Sequence, residues 1–179
     1  WEYACRAGTT TALNSGKNLS DEEECPEMDE VGWYYYNSDE QTYPVGQKKP
    51  NAWGLYDMHG NVMEWCLDWY GEYPTSSVTD PTGASTGSDR VIRSGSWYIR
   101  ADCCRSASRG YFNPALSYYD FGFRVALSFC GKESENKNIT IPLSEDVDQD
   151  MIWIEPGTFI MGSPEDEQGR YSIETQHQV

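Results

Sequence analysis

NAWGLYDMHGNVMEWCLDWY, residues 51–70, decides how the rest of the chain is read. A turn built from Asn51, Gly54, Asp57, Gly60 and Asn61 is set there between large aromatic anchors. Glycine and asparagine at that density mark backbone that needs positive φ or close approach to another segment. Trp53, Leu55, Tyr56, Met63, Trp65 and Trp69 supply surface to bury on both sides of the turn. Of its three carboxylates, Asp57 and Glu64 are spaced across the turn, so the stretch has the composition of a site as well as of a core.

The flanking blocks read as follows. In WEYACRAGTT, residues 1–10, Trp1, Ala4 and Cys5 share one face at helical spacing, and Gly8 stands where a helix ends. A polar loop follows to residue 43, interrupted by Trp33, Tyr34, Tyr35 and Tyr36, a cluster expected in core packing or at a strand edge. Residues 71–89 are rich in Gly, Ser, Thr and Pro with little periodicity, an ordered surface loop. RVIRSGSW, residues 90–97, alternates weakly and predicts a strand, whereas 98–119 is irregular. FGFRVAL, residues 121–127, predicts a closing strand with Phe121, Phe123, Val125 and Leu127 on one side and Arg124 on the other. Residues 131–150 are polar and acidic, the composition of a linker. Ile152, Ile154, Phe159 and Met161 alternate around Pro156-Gly157 and predict a β-hairpin.

A chain of 179 residues has room for one ordinary domain or for parts of two. The formal charge of −16 excludes a nucleic-acid-binding role, which needs clustered Lys and Arg. The acidic run DEEECPEMDE, residues 21–30, lacks the glycine turn and ligand spacing of a cation loop and reads as solvated. No stretch is apolar and long enough to span a bilayer. The six cysteines form no CxxC pair, which argues against structural zinc and a disulfide framework. Cys5 and Cys66 read as small buried hydrophobes. Cys103 and Cys104 are neighbours, so one of them is expected to face solvent.

Taken together, WEYACRAG, the 51–70 motif, RVIRSGSW and FGFRVAL stand in the order and at about the distances seen in the second half of the formylglycine-generating-enzyme (sulfatase-modifying factor) family, which the chain resembles. The resemblance implies an α+β, C-type-lectin-like fold, loop-rich, with small antiparallel sheets. MIWIEPGTFIMGSPEDEQGR, residues 151–170, resembles the opening of such a domain but follows the closing block. Residues 1–130 are therefore expected to be the C-terminal part of one domain and 131–150 an acidic linker. Residues 151–179 are expected to be the opening hairpin and tail of a second, tandem or permuted, copy. The fragment reading is favoured, because permutation alone would keep the missing connection to WEYACRAG.

Three site readings follow from the resemblance. In the family the turn before a helix-like WEW segment binds calcium, which would place the ligands here at the carboxylates of Asp57 and Glu64 and the carbonyls of Gly60 and Val62; hard cations take such oxygens from irregular backbone. The family's enzymes oxidise a peptidyl cysteine with copper(I) held by a Cys-x4-Cys pair after the Gly-Ser-aromatic block. Here Gly95-Ser96-Trp97 is present and the second cysteine falls on Cys104, the candidate catalytic residue, but the first falls on Ile99, which offers no thiolate. A branch with histidine-bound iron finds no counterpart in His59 and His177. In a third set, the variable proteins of diversity-generating retroelements, the stretch between GSW and GFR is rewritten through codons ending in C. Such codons cannot specify Lys, Glu, Gln, Met or Trp, and residues 98–123 contain none of these. The stretch displays Tyr98, Ile99, Arg100, Asp102, Cys103, Tyr111, Phe112, Asn113, Tyr118, Tyr119 and Asp120, a mixture similar to a paratope. The expectation is a scaffold that binds a protein or small-molecule ligand there, with the copper-dependent oxidoreductase as the alternative. Arg105, Arg109 and Arg124 are expected to tie the stretch to the scaffold.

Overall fold

The computed structural model describes residues 1–126, 139–144, 147–151, 154, 157–171, 174 and 176–179. Helix α1, Glu2–Arg6, ends at Ala7, whose left-handed backbone (φ 45°) lets its N–H bond Tyr3 O. The cap thus falls one residue before the glycine expected to make it. Cys5 is fully buried as expected, but so are Glu2 and Arg6. Burial of that charge is stabilised in place: the Glu2 carboxylate lies between the guanidinium groups of Arg6 (2.9 Å) and Arg93 (3.1 Å).

Strand β1, Gly32–Trp33, pairs in parallel with β2, His59–Gly60. A side chain on Gly60 would put its Cβ 2.0 Å from the carbonyl oxygen of Trp33, which explains why this turn needs glycine. The central sheet is formed by β3, Met63–Trp69, β4, Arg90–Arg93, β5, Gly110–Phe112, and β6, Phe121–Gly122. Their order is β5-β4-β3-β6. The β3–β4 and β4–β5 pairs are antiparallel, but β3–β6 is parallel, as is β1–β2, so the small sheets are mixed rather than wholly antiparallel.

Two sequence expectations fail here. The segment after the 51–70 turn is a strand, not helix-like, because its residues pair across β4 with a register shift between Trp65 and Trp69. The closing strand is shorter than FGFRVAL: pairing stops at Gly122, and Phe123 (77% exposed) and Val125 face solvent instead of the core. The chain leaves the sheet there as Arg124 reaches back to Glu64 and to the carbonyl of Tyr56. Leu127 lies outside the described residues.

Within the expected linker, β7, Ile139–Ser144, pairs antiparallel with β8, Val147–Met151. The β-branched residues of ITI favour strand despite the surrounding acidic residues. The hairpin predicted across 152–161 falls partly outside the described residues. Its second arm, β9, Ile160–Met161, pairs antiparallel with β10, His177–Gln178. This terminal segment packs on the body formed by residues 1–126. Phe159 meets Tyr3 with ring centroids 5.2 Å apart, and Gly162 donates its N–H to Glu2 while accepting from Arg6.

The apolar core joins Ala12, Leu13, Leu19, Cys25, Met28, Val31, Tyr34, Ala101 and Cys104, with Ile99 packed against it. It therefore lies directly beneath the irregular segment that follows Trp97. No helix among the described residues is long and apolar enough to cross a membrane.

Candidate functional site

The irregular segment is anchored from below and aromatic above. Tyr34, in the same run as Trp33, is buried, and its hydroxyl bonds the Cys25 backbone. Tyr35 donates its backbone N–H to Ile99 O at 3.0 Å, which sets the 33–36 run alongside Tyr98. Tyr98, Tyr118 and Tyr119 are exposed, as the paratope-like composition predicts. Their rings are linked. Tyr98 stands edge-on to Tyr119 (5.6 Å, 89°), both contact Trp97, and Tyr119 contacts Tyr118. Phe112 is half-buried between Tyr118 and Phe121. Tyr111 is exposed but set apart, because successive strand residues point to opposite faces, and its ring lies 4.3 Å from that of Tyr70.

Not every residue of the expected surface faces outward. Asp120 is buried and accepts the Ser96 hydroxyl at 2.8 Å, while Ile99 packs on the core. Asp102 is buried beneath Arg100, which pairs with it at 3.0 Å and with Glu23 at 3.1 Å. These three are corrected to supports of the surface: a carboxylate with a short built-in partner is held by the fold. Asn113 is exposed, and its side-chain oxygen accepts the Ala115 N–H, forming the turn after β5. Cys103 is half-buried, its sulfur 3.4 Å from the Tyr171 hydroxyl. Sequence reasoning missed Tyr35 and Tyr36, both exposed. The signal was present, since four consecutive aromatics cannot all face one core.

Among the described residues the thiols are not arranged for copper. Cys103 and Cys104 lie in a 3-10 turn, Ala101–Cys104, rather than on a strand, and Cys104 is the wholly buried one. Burial raises its pKa well above the ordinary thiol value, and a Cβ on Gly95 would lie 2.5 Å from its sulfur. Ile99, in the place of the partner cysteine, has no ligand atom. The residues present therefore do not fit copper(I), and the candidate catalytic Cys104 is a core residue. His59 is likewise a core residue: Nδ1 donates to Cys104 O at 2.7 Å and Nε2 accepts the Asn14 N–H at 3.0 Å.

The oxygens expected to hold calcium are largely engaged. Arg124 donates through Nη2 to Glu64 Oε1 (2.7 Å) and through Nε to Oε2 (3.0 Å), and Trp1 donates to Oε2 at 2.6 Å. The Gly60 carbonyl accepts the Ser94 hydroxyl, and Asp57 Oδ2 accepts the Gly46 N–H at 2.7 Å. Val62 is half-buried against Gly122. Asp57 Oδ1 is buried without a hydrogen-bond partner among the described residues. One orphaned oxygen is not a cation cradle, and the guanidinium already supplies the positive charge, so this set does not fit calcium as the resemblance places it.

The family model described as the sulfatase-modifying factor enzyme 1-like domain matches residues 1–129. The chain is 41% identical over 90 residues to the formylglycine-generating enzyme of Streptomyces coelicolor, covering 48% of this chain and 29% of that protein. It is 40% identical over 104 residues to the serine/threonine-protein kinase pkn1 of Chlamydia caviae, covering 56% of this chain and 16% of that one. Among solved structures it is similar to Treponema denticola variable protein 1, with a TM-score of 0.62 at 41% identity, covering 69% of this chain and 43% of that chain. The chain spans less than half the length of each of these relatives.

Proposed function

Since the chain belongs to the sulfatase-modifying factor family, we propose that it serves as a binding scaffold, with the aromatic part of residues 98–120 as its ligand surface. Its loop-rich α+β body with small sheets is the C-type-lectin-like fold of that family. The observation that carries the reading is the set of linked, exposed rings of Tyr98, Tyr118 and Tyr119 around Trp97. Tyrosine gives large contact area and a polar tip for little lost side-chain freedom. Support also comes from Ile99, which leaves the oxygen-dependent chemistry of the family's enzymes without its paired thiolates.

The scaffold reading includes retroelement-type variation of the exposed positions, in keeping with the likeness to a protein described as variable. The coding DNA tests that part: codons ending in C at Tyr98, Tyr118 and Tyr119, beside a near-identical template repeat, support it, and mixed third bases overturn it. Binding itself is tested by panning a random peptide library on the full chain and on a variant with all three tyrosines changed to Ala. Sequences enriched on the first and lost on the second are expected. Equal enrichment on both, or Cys104-dependent aldehyde formation on a Cys-x-Pro-x-Arg peptide with copper(I) and oxygen, would overturn the proposal.

A further inference from the structure

We infer that the ligand of this surface is a basic peptide segment, and that residues 35–40 form the second wall of its site. The inference rests on the scaffold reading and adds the partner's chemistry. It begins with the rings. Tyr35 stands edge-on to Tyr98 (6.3 Å, 79°) and to Tyr36 (5.3 Å, 80°), while Tyr98 stands edge-on to Tyr119. Tyr35 (45%), Tyr36 (43%), Tyr98 (49%) and Tyr119 (61%) are all exposed, and exposed aromatic rings attract Arg and Lys side chains.

Exposed carboxylates adjoin the rings along two stretches of the chain. Asp39 and Glu40 are exposed and adopt left-handed backbone (φ 51° and 56°), in a turn tied to the aromatic wall by the Ser38 hydroxyl donating to Trp97 O at 2.8 Å. In the second stretch, Glu22, Glu23 and Glu24 are exposed; backbone bonds from Ala101 to Glu23 O and from Asp102 to Glu22 O fix that run against the segment. The Tyr36 hydroxyl donates to Glu23 at 3.2 Å, joining ring and rim. Arg100 is already paired with Glu23 and Asp102. The remaining carboxylates leave a negative edge around electron-rich faces, the complement of spaced Arg or Lys side chains. An acidic or phosphorylated partner meets repulsion there, and a neutral one stacks without drawing on the rim.

A chain of charge −16 attracts any polycation weakly, so the test keeps the charge constant while removing rings. Fluorescence anisotropy of a labelled (Gly-Arg) repeat peptide is read with the full chain, with Tyr35→Ala, with Tyr98→Ala, and with the citrulline version of the peptide. Circular dichroism checks that each variant is folded. Each Tyr variant is expected to bind about tenfold more weakly at unchanged net charge, and the citrulline peptide to lose at least about as much. The Asp39→Asn, Glu40→Gln variant weakens binding and flattens its dependence on salt. Tyr variants that bind the arginine peptide like the wild type would reduce the attraction to diffuse charge and overturn the inference. Equal binding of the citrulline and arginine peptides, with both lost in Tyr98→Ala, would overturn the basic partner while leaving the scaffold reading intact. Absence of arginine-peptide binding alongside Tyr98-dependent hits in the random library would do the same.

Discussion

His59 carries the sharpest prediction at the scale of single residues. It is wholly buried, and desolvation lowers its pKa from 6.5 to about 4, with the Cys104 carbonyl opposing and Arg6 adding to the shift. The fold therefore binds neutral imidazole, and its stability is fully present above the unfolded pKa near 6.5. As pH falls from there toward about 4 the unfolded chain takes up a proton that the folded chain refuses, a loss of about 3 kcal/mol. Urea unfolding at a series of pH values should show that decline, and His59→Gln should flatten it; an unchanged slope would remove His59 from the account. The cysteines give a second expectation. Burial raises Cys5 to about 12 and raises Cys104, Cys66 and Cys103 as well, so access sets the order: iodoacetamide near neutral pH should label half-buried Cys103 and Cys66 before the buried Cys5, Cys25 and Cys104. Peptide mass spectrometry of the native chain reads the order, and early labelling of Cys104 would reopen the catalytic reading.

Between elements, the decisive contact joins β3 to the chain leaving β6. Glu64 is buried on β3, and its carboxylate takes the Arg124 guanidinium and the Trp1 indole N–H. Arg124→Ala leaves that carboxylate buried with only the indole, and because the arginine side chain is 32% exposed the expected cost is about 1–3 kcal/mol, below that of a fully buried pair. With the guanidinium in place, millimolar calcium should move the wild-type melting temperature by less than about 1 °C, since little differential binding remains to stabilise the fold. A rise of several degrees, reversed by chelation, would restore the calcium site. The same region shows what the sequence made legible. Gly60, Asn61 and the aromatic anchors announced a tight turn because backbone geometry restricts which residues fit. Strand β3 was not legible, since a short apolar run satisfies helical and extended periodicities alike and its partner β4 arrives only after a long loop. Phe123 was misread for a related reason: alternation shows which residues share a face but not where pairing stops. At the binding surface, Tyr98 and Tyr119 stood out by composition, whereas burial of Asp102 and Asp120 depends on Arg100 and Ser96 closing over them.

Across the whole molecule, charge is distributed differently from what the composition suggests. Arg105 is wholly buried, and its guanidinium bonds Glu167 (2.7 Å) and Glu174 (2.8 and 3.0 Å) and the carbonyls of Asp102 and Gly169. These acids lie 62 and 69 positions away in the chain, so no local pattern announced the cluster. Arg105 supports the segment after Trp97 from beneath, and its acidic partners belong to residues 157–179, so the binding face and the terminal segment share one buried cation. Burial also raises the Glu167 pKa, a sign that its charge is tolerated only with the guanidinium beside it. Arg105→Met should therefore cost about 3–5 kcal/mol in urea unfolding, because two carboxylates lose their compensating charge away from water. Adding Glu167→Gln and Glu174→Gln to that variant should recover a large part of the loss, since the groups left buried are then neutral. A thermodynamic cycle between Arg105→Met and the paired Gln changes with coupling near zero would show instead that the terminal segment does not engage Arg105 in solution. Strong coupling would also predict that Glu174→Gln alone loosens the neighbouring 101–104 turn, read as faster amide exchange at Asp102 and Cys103 than at the strand β4 amides.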